Sequence, residues 1–269
     1  MLLLIAAVIP VKNEAATIRK VIRTVSSTEV DLIIPVFNGC TDSSREIIEA
    51  MNCAKISPIH FESSLGIDVP RSIGAAWAHK LGAEIILFID GDMEGNIANT
   101  LKGLLSSISR KGFQMSLTNC YPPETESKPS QLARYLLNLR TELNRRLGFE
   151  EAIGNASPSH GPHAITRKFI ESVPCQELAV PPVTLALAAR CRLNVGIGAR
   201  LPHARLGSRQ RDFYHNKQIA ETIIGDCLEA LQVFYGHTRT RTQDGKTYLG
   251  YHTERRFDLL EDFLKKIFT

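Results

Sequence analysis

A chain of 269 residues can bury a substantial core, and its 43% hydrophobic and 22% charged residues are those of an ordinary globular protein. The formal net charge of +4 is too small at this length to indicate a nucleic-acid partner. Six cysteines (Cys40, Cys53, Cys120, Cys175, Cys191, Cys227) lie scattered with no C-x-x-C pair, which signals neither a zinc site nor a disulfide framework and suits a reducing, cytoplasmic setting.

The opening MLLLIAAVIP is apolar, but it lacks a basic start and a cleavage site and is too short to span a bilayer. It predicts a buried strand over Leu3 to Ile9, followed by a polar Pro10-Val11-Lys12-Asn13-Glu14 and then helical spacing at Ile18, Val21, Ile22 and Val25. Leu32 to Val36 predicts a second strand, closed by Asn38-Gly39-Cys40-Thr41-Asp42, with Asp42 or Ser43 capping a helix through Ile47, Ile48 and Met51. A third strand is expected over Ile56 to Phe61 and a helix over about Ser72 to Leu81. Leu101, Leu104, Leu105 and Ile108 then share a helical face, and Met115 to Asn119 predicts another strand. Tyr121 to Gln131 is Pro-rich and polar and reads as a mobile loop. A helix follows on the stripe Leu132, Leu136, Leu139, Leu143 and Leu147, with Arg134, Arg140, Arg145 and Arg146 read as its solvated face. Gly154 to His163 is too rich in Gly, Pro and Ser to be regular. A short helix from near Pro182, a strand over Leu193 to Leu201, a long helix over Asp212 to Tyr235, and a last helix using Phe257, Leu260, Leu264 and Ile267 complete the chain. The basic stretch 237–248 and the loop 121–131 are expected to order over a bound ligand as lids do. No apolar run is long enough for a transmembrane helix.

Between these elements lies the most informative stretch, IILFIDGDM over Ile85 to Met93, where five apolar residues end in Asp90 and Asp92. The run suits a strand buried on both faces. On an extended chain, carboxylates two residues apart point the same way, so one cation can meet both. Adjacent anions at the end of a buried strand need such neutralisation, and oxygen ligands suit Mg²⁺ or Mn²⁺ shared with substrate phosphates. An Asp-Gly turn with Asp92 capping the next helix is the alternative. Repeated strand–helix units imply a parallel sheet whose ligands sit beyond the carboxyl ends of its strands. The polar clusters at 12–14, 38–42 and 90–92 therefore converge on one crevice.

Taken together, VIPVKNEAATI, LIIPVFNGCTDSS and IILFIDGDM resemble the three markers of GT-A-fold glycosyltransferases of the broad family 2 type, over roughly residues 5–95. SPSHGPHAITRKFIESVP, PPVTLALAAR and LNVGIGARLPHARLGSRQ further resemble the retaining glucosyl-3-phosphoglycerate and mannosylglycerate synthases, as far as about residue 225. The resemblance implies an α/β GT-A fold: a Rossmann-like nucleotide-binding sheet with helices on both faces, plus a C-terminal helical acceptor region. The implied divisions are a nucleotide-sugar half at 1–120, an acceptor-side half of the same domain at 121–211, and a helical extension at 212–269. It also implies a UDP- or GDP-linked sugar as donor and a small or glycan acceptor, glycerate derivatives included. A homodimer is compatible with it.

By the same resemblance, Pro10, Val11, Asn13 and Glu14 line the base and ribose, with Asn38 and Gly39 at the base edge and Arg71 near the diphosphate. Asp92 is implied as the metal ligand, Asp90 as holding ribose or metal-bound water beside Gly91, and His203 as a further metal ligand. Arg205 follows His203 as a phosphate-holding catalytic residue. Lys128, Ser130, Gly161 and His163 fall on the acceptor side. Each has a plainer reading: Glu14 as a first-turn acid favouring the helix dipole, Asn38-Gly39 as a turn, Arg71 as a surface charge, and His160, His163 and His215 as structural groups. The family's acceptor-side carboxylate is missing, since that place reads Val180-Pro181-Pro182-Val183 and Glu177 lies several residues early. A general base contributes roughly 10²–10⁴-fold, so its absence argues for retention, with the leaving phosphate taking the acceptor proton. Three rivals stand beside this: an inverting enzyme using Glu177 on a lipid or polysaccharide, a nucleotidyltransferase, which would need a Gly-rich phosphate loop after the first strand, and a non-catalytic nucleotide-sugar-binding protein.

Overall fold

The computed structural model describes residues 3–122, 129–208 and 212–268. Seven strands form one sheet in the order β3-β2-β1-β4-β6-β5-β7. They are β1 (Ile5–Val11), β2 (Leu32–Asn38), β3 (Ile59–Phe61), β4 (Ile85–Phe88), β5 (Met115–Asn119), β6 (His163–Thr166) and β7 (Val195–Arg200). The pairs β1–β2, β1–β4, β2–β3 and β5–β7 are parallel. Against the expectation of an all-parallel sheet, β6 runs antiparallel to both β4 and β5. The stretch expected to be irregular from Gly154 to His163 is so only to Pro162. His163 then enters the sheet, its buried ring stacked on Phe88 at 4.7 Å between centroids. The expected third strand is shorter, because Ile56 makes only an isolated bridge to Ile33.

Alternation along β1 shows how the sequence builds two cores. Ala6 and Val8 face one cluster, with Ile34, Val36, Ile86 and Phe88 from neighbouring strands. Ala7 and Ile9 face the other, which is closed by α1 (Ile18–Ser26) and α4 (Ala98–Lys111). The helix α2 (Ser44–Glu49) adds Ile48 to this second face. On the first face lies α3 (Val69–Lys80), where Gly74 is needed because a Cβ there would strike the Val8 side chain. After α5 (Gln131–Arg146), the short α6 (Glu150–Ile153) and α7 (Arg167–Ser172), the helix α8 (Pro181–Arg190) joins the same face. So does the C-terminal region. Cys227, Ala230 and Val233 of α9 (Phe213–Tyr235) and Leu260 of α10 (Phe257–Phe268) enter the first core directly. Residues 212–268 are thus packed onto the sheet domain. No helix among the described residues is long and apolar enough to cross a membrane.

Candidate active site

The aspartate stretch does not continue as strand. Regular pairing of β4 stops at Phe88, though Ile89 N–H and Gly91 N–H still reach Val8 O and Pro10 O at 3.2 Å. From Asp90 the chain turns, with Met93 N–H donating to Asp90 O at 3.1 Å. The premise of an extended strand through Asp92 is therefore corrected: both aspartates lie on a turn, Asp90 paired with Arg71 and Asp92 beside Ser208. Gly91 is required at its centre, since a Cβ would lie 2.9 Å from Pro10 O and 3.2 Å from Glu14 Cγ. Thr17 Oγ1 closes the turn by donating to Gly91 O at 2.8 Å. Buried Glu14 packs against this turn, and its backbone N–H donates to Ser44 Oγ at 2.8 Å.

The ends of β1 and β2 are held together by a polar lattice. Asn13, in the left-handed region at φ 57°, accepts Thr41 N–H at 2.8 Å. Lys12 Nζ donates to Gly39 O at 2.7 Å, and Cys40 Sγ donates to Val11 O at 3.2 Å. Gly39 also has a positive φ, and a Cβ there would press on Ser64 N at 2.8 Å. Of the two expected caps, Ser43 is the N-cap of α2 but makes no side-chain cap bond, while the Asp42 carboxylate accepts Ala15 N–H at 2.9 Å and the Ser44 N–H and hydroxyl. Partial burial opposes ionisation, but the Ser44 and Ala15 bonds hold its carboxyl below the usual value. Asn38 was expected to meet a base edge. Instead it is buried and its amide is spent on the loop after β3, donating to Gly66 O at 3.1 Å and accepting Leu65 N–H. Asn38 is a loop anchor.

Arg71 is no surface charge. Its guanidinium, on the first turn of α3, pairs with both Asp68 and Asp90. Asp68, left-handed at φ 64°, is itself bound by Arg255 Nη2 at 2.9 Å. Arg255 also holds Asp226 at 2.7 Å and 2.8 Å, and Arg241 Nη1 reaches Asp226 at 2.6 Å and Glu229 at 3.0 Å. Arg239 then links Glu229 to Glu177. One file of alternating charges thus runs from Asp90 through the C-terminal helices to Glu177. Bonds from Asp226 and Asp68 hold the Arg255 guanidinium up against the effect of burial. This file corrects the view of 237–248 as a lid, because Arg239 and Arg241 anchor that stretch. Asp226, Glu229 and His252 form the only three-group cluster of metal-ligand type among the described residues, but the arginines fill it.

On the other side of Asp92 lies the turn after β7. Gly95 N–H donates to Leu206 O at 2.9 Å, a Cβ on Gly95 would strike Arg205 O, and Ser208 Oγ lies 3.5 Å from Asp92 Oδ1. His203 and Arg205 occupy the short 3₁₀ turn His203–Arg205 and are exposed. His203 Nδ1 faces His160 Nε2 at 3.2 Å, and Tyr121 stacks on His203 at 5.8 Å. Partial desolvation, then Arg140, lowers the His203 imidazole pKa, which favours the neutral form that can donate a lone pair. The structure brings the His203 turn against the Asp92 turn, without closing Asp90, Asp92 and His203 into one three-ligand cluster. In kind, a half-buried carboxylate with a neutral imidazole fits Mg²⁺ or Mn²⁺.

The acceptor-side residues divide. Ser130 caps α5, its hydroxyl accepting Ala133 N–H at 3.2 Å. Lys128 lies outside the described residues. Gly161, at φ 77°, passes so close to Cys120 that a Cβ would sit 2.6 Å from Sγ. His163 lines a small cavity with Arg71, Phe88, Pro158, Leu178, Pro181 and Thr184. Burial, then Arg71, pulls its imidazole down to about 3. Among the described residues no carboxylate lines that cavity, and Glu177 is taken by Arg239 at 2.6 Å. Arg140, read as solvated, is buried. Sequence reasoning also passed over Thr17, Asp68, Asp226 and Arg255. A signal existed for Asp226 and Glu229, carboxylates set within the apolar run GDCLEAL of α9.

Comparison with known proteins gives this crevice a setting. The family described as Glycosyl transferase family 2 matches residues 6–171. The 4,4'-diaponeurosporenoate glycosyltransferase of Staphylococcus haemolyticus is 26% identical over 144 residues, 51% of this chain and 36% of that protein, so the chain spans about a third of that relative's length. Among solved structures, glucosyl-3-phosphoglycerate synthase from Mycobacterium tuberculosis in complex with phosphoglyceric acid aligns with a TM-score of 0.64 at 20% identity, over 88% of this chain and 82% of that one. The same enzyme with Mn²⁺ and UDP-glucose aligns at 0.60 and 20% identity, over 83% and 79%. At this identity the likeness establishes the GT-A fold.

Proposed function

The chain belongs to glycosyl transferase family 2, and from that premise we propose that it moves a sugar from a nucleoside-diphosphate sugar to a hydroxyl of a small anionic acceptor, with Mg²⁺ or Mn²⁺ and with retention at the anomeric carbon. The observation that carries this reading is the Asp90–Asp92 turn at the sheet's carboxyl edge, with Asp90 braced by Arg71 and the turn met by the His203 turn through the Gly95–Leu206 bond. Pro10, Val11, Asn13 and Glu14 lie at the end of β1, where the base and ribose would rest. Gly91 keeps the turn low enough for close approach, and Arg71 fixes Asp90 so that it cannot swing. Asp92 and His203 would hold the cation, which supplies charge neutralisation to the departing diphosphate. Arg205, exposed beside it, adds a second positive group for the same oxygens. Gly161 and His163 border the acceptor space, where a neutral His163 presents a flat, uncharged wall on Phe88. No carboxylate among the described residues lines the cavity beside His163, so the acceptor's proton passes to the leaving phosphate on the same face. The printed ligands of the structural neighbours, Mn²⁺, UDP-glucose and phosphoglyceric acid, are in keeping with this class of donor and acceptor.

An inverting mechanism through Glu177 is disfavoured by the Arg239 pair that occupies it. The test is incubation with Mn²⁺, UDP- or GDP-linked sugars, and 3-phosphoglycerate or glycerate, with proton NMR of the anomeric signal. An α-product from an α-donor, absent with Asp92→Ala, is expected. A β-product would establish inversion, and donor binding with no turnover, even to water, would establish a non-catalytic binder.

A further inference from the structure

Helix α5 carries a buried charge that the chemistry above leaves unused. Arg140 is only 5% exposed, its Nε is buried with no hydrogen-bond partner, and its one bond among the described residues is a long one, Nη2 to Ser159 Oγ at 3.3 Å. The ionisable groups that interact with it are Cys227, Tyr121, Cys120, His160 and His203, none of them a carboxylate. The contrast with the other two buried arginines is direct, because Arg241 and Arg255 each engage two carboxylates. An isolated buried guanidinium is costly, and proteins keep one only where an anion compensates it.

The surroundings of Arg140 point toward the crevice. Ser159 lies in the loop before β6 and shares a 2.9 Å hydroxyl contact with Ser157. His160 follows it, 3.2 Å from exposed His203, with Tyr121 tilted against His160 at 5.6 Å. Ser159 and His160 are partly exposed, so the guanidinium lies one side chain beneath the acceptor end of the site. The loop itself is pinned from the same helix face, where Asn144 Nδ2 donates to Gly154 O at 2.7 Å and Ala156 O at 3.0 Å. Asn144 Oδ1, one turn beyond Arg140, is the other orphaned polar atom here.

We propose that Arg140, with the Ser159 hydroxyl, receives the anionic group of the acceptor, a carboxylate or phosphate oxygen, between loop 157–160 and the His203 turn. The fork of a guanidinium suits either oxyanion. This inference rests on the reading of the protein as a transferase to a small anionic acceptor and names the residue that would select it.

The test measures calorimetric binding of 3-phosphoglycerate, D-glycerate and inorganic phosphate to the full chain and to Arg140→Leu, Arg140→Lys and Ser159→Ala. UDP binding with Mn²⁺ and thermal midpoints are measured on the same samples. The expectation is that the wild type binds at least one of these anions, that Arg140→Leu weakens it at least tenfold, and that UDP binding is unchanged. Arg140→Leu should also leave the thermal midpoint equal or higher, since it removes an uncompensated buried charge. A ligand bound through phosphate will include inorganic phosphate among its competitors; one bound through carboxylate will favour glycerate. Equal anion affinity in wild type and Arg140→Leu overturns the proposal. Should Arg140→Leu fail to fold, wild-type affinity in both Arg140→Lys and Ser159→Ala overturns it equally. If the wild type binds none of the three anions while UDP still binds, the anionic-acceptor reading itself falls.

Discussion

Replacing Arg255 with Met would cut the file of charges at its most buried point. The side chain is fully buried and bridges Asp68 at 2.9 Å and Asp226 at 2.7 Å and 2.8 Å. Methionine fills much of the volume but leaves two carboxylates facing an apolar stem, each with one arginine remaining, Arg71 for Asp68 and Arg241 for Asp226. Breaking a buried ion pair by removing one partner costs about 3–5 kcal/mol. At about 2–4 °C per kcal/mol for a chain of this size, the thermal midpoint should fall by roughly 6–20 °C. Urea denaturation should show a lower midpoint with an unchanged slope, because the surface exposed on unfolding is the same. Asp68 also holds Arg71, which fixes Asp90, so UDP affinity should weaken as well. A loss below about 1 kcal/mol, or an unchanged midpoint, would refute the view that the C-terminal helices are wired into the site.

Two further outcomes are expected. Gly91→Ala places a Cβ 2.9 Å from Pro10 O and 3.2 Å from Glu14 Cγ, so it should cost about 1–3 kcal/mol in urea denaturation and weaken donor binding; wild-type values for both would show that the turn tolerates a side chain. His163 sets a pH dependence: its folded pKa of about 3 lies below an unfolded value near 6.5, so between those limits the unfolded chain holds a proton that the folded one refuses. Its contribution is therefore full above about pH 6.5 and is lost as pH falls toward 3, by about 1.4 kcal/mol per pH unit. His163→Phe, which keeps a ring against Phe88, should flatten the slope by that one proton between about pH 4 and 6; a parallel slope there would contradict the assignment.

The strand ends were legible because apolar runs terminating in polar clusters need no tertiary information. Ile85–Phe88 and Leu32–Asn38 illustrate this, and their polar clusters meet at one end of the sheet. The strand β6 was not legible. His163-Ala164-Ile165-Thr166 is four residues long and preceded by Gly161-Pro162, and only pairing with β4 and β5 makes it a strand. Asn38 shows the limit at the site: position placed it at a strand end, but the loop 65–66 takes its amide. The arginines show it again. Arg140, Arg241 and Arg255 sit in segments that look solvated in one dimension, and all three are buried by neighbours distant in sequence. Charge pairing of Asp68 with Arg255, 187 positions apart, leaves no local pattern to read.

The central claim, a cation-dependent nucleoside-diphosphate site at Asp90–Asp92, is tested most directly by calorimetric titration of UDP with Mn²⁺ present, then with excess EDTA, for wild type and Asp92→Asn. Binding should depend on Mn²⁺, disappear with EDTA, and weaken at least about tenfold in the variant, the scale of one charge-assisted contact. Equal UDP affinity with and without Mn²⁺, or an Asp92→Asn protein that binds as the wild type does, would contradict it.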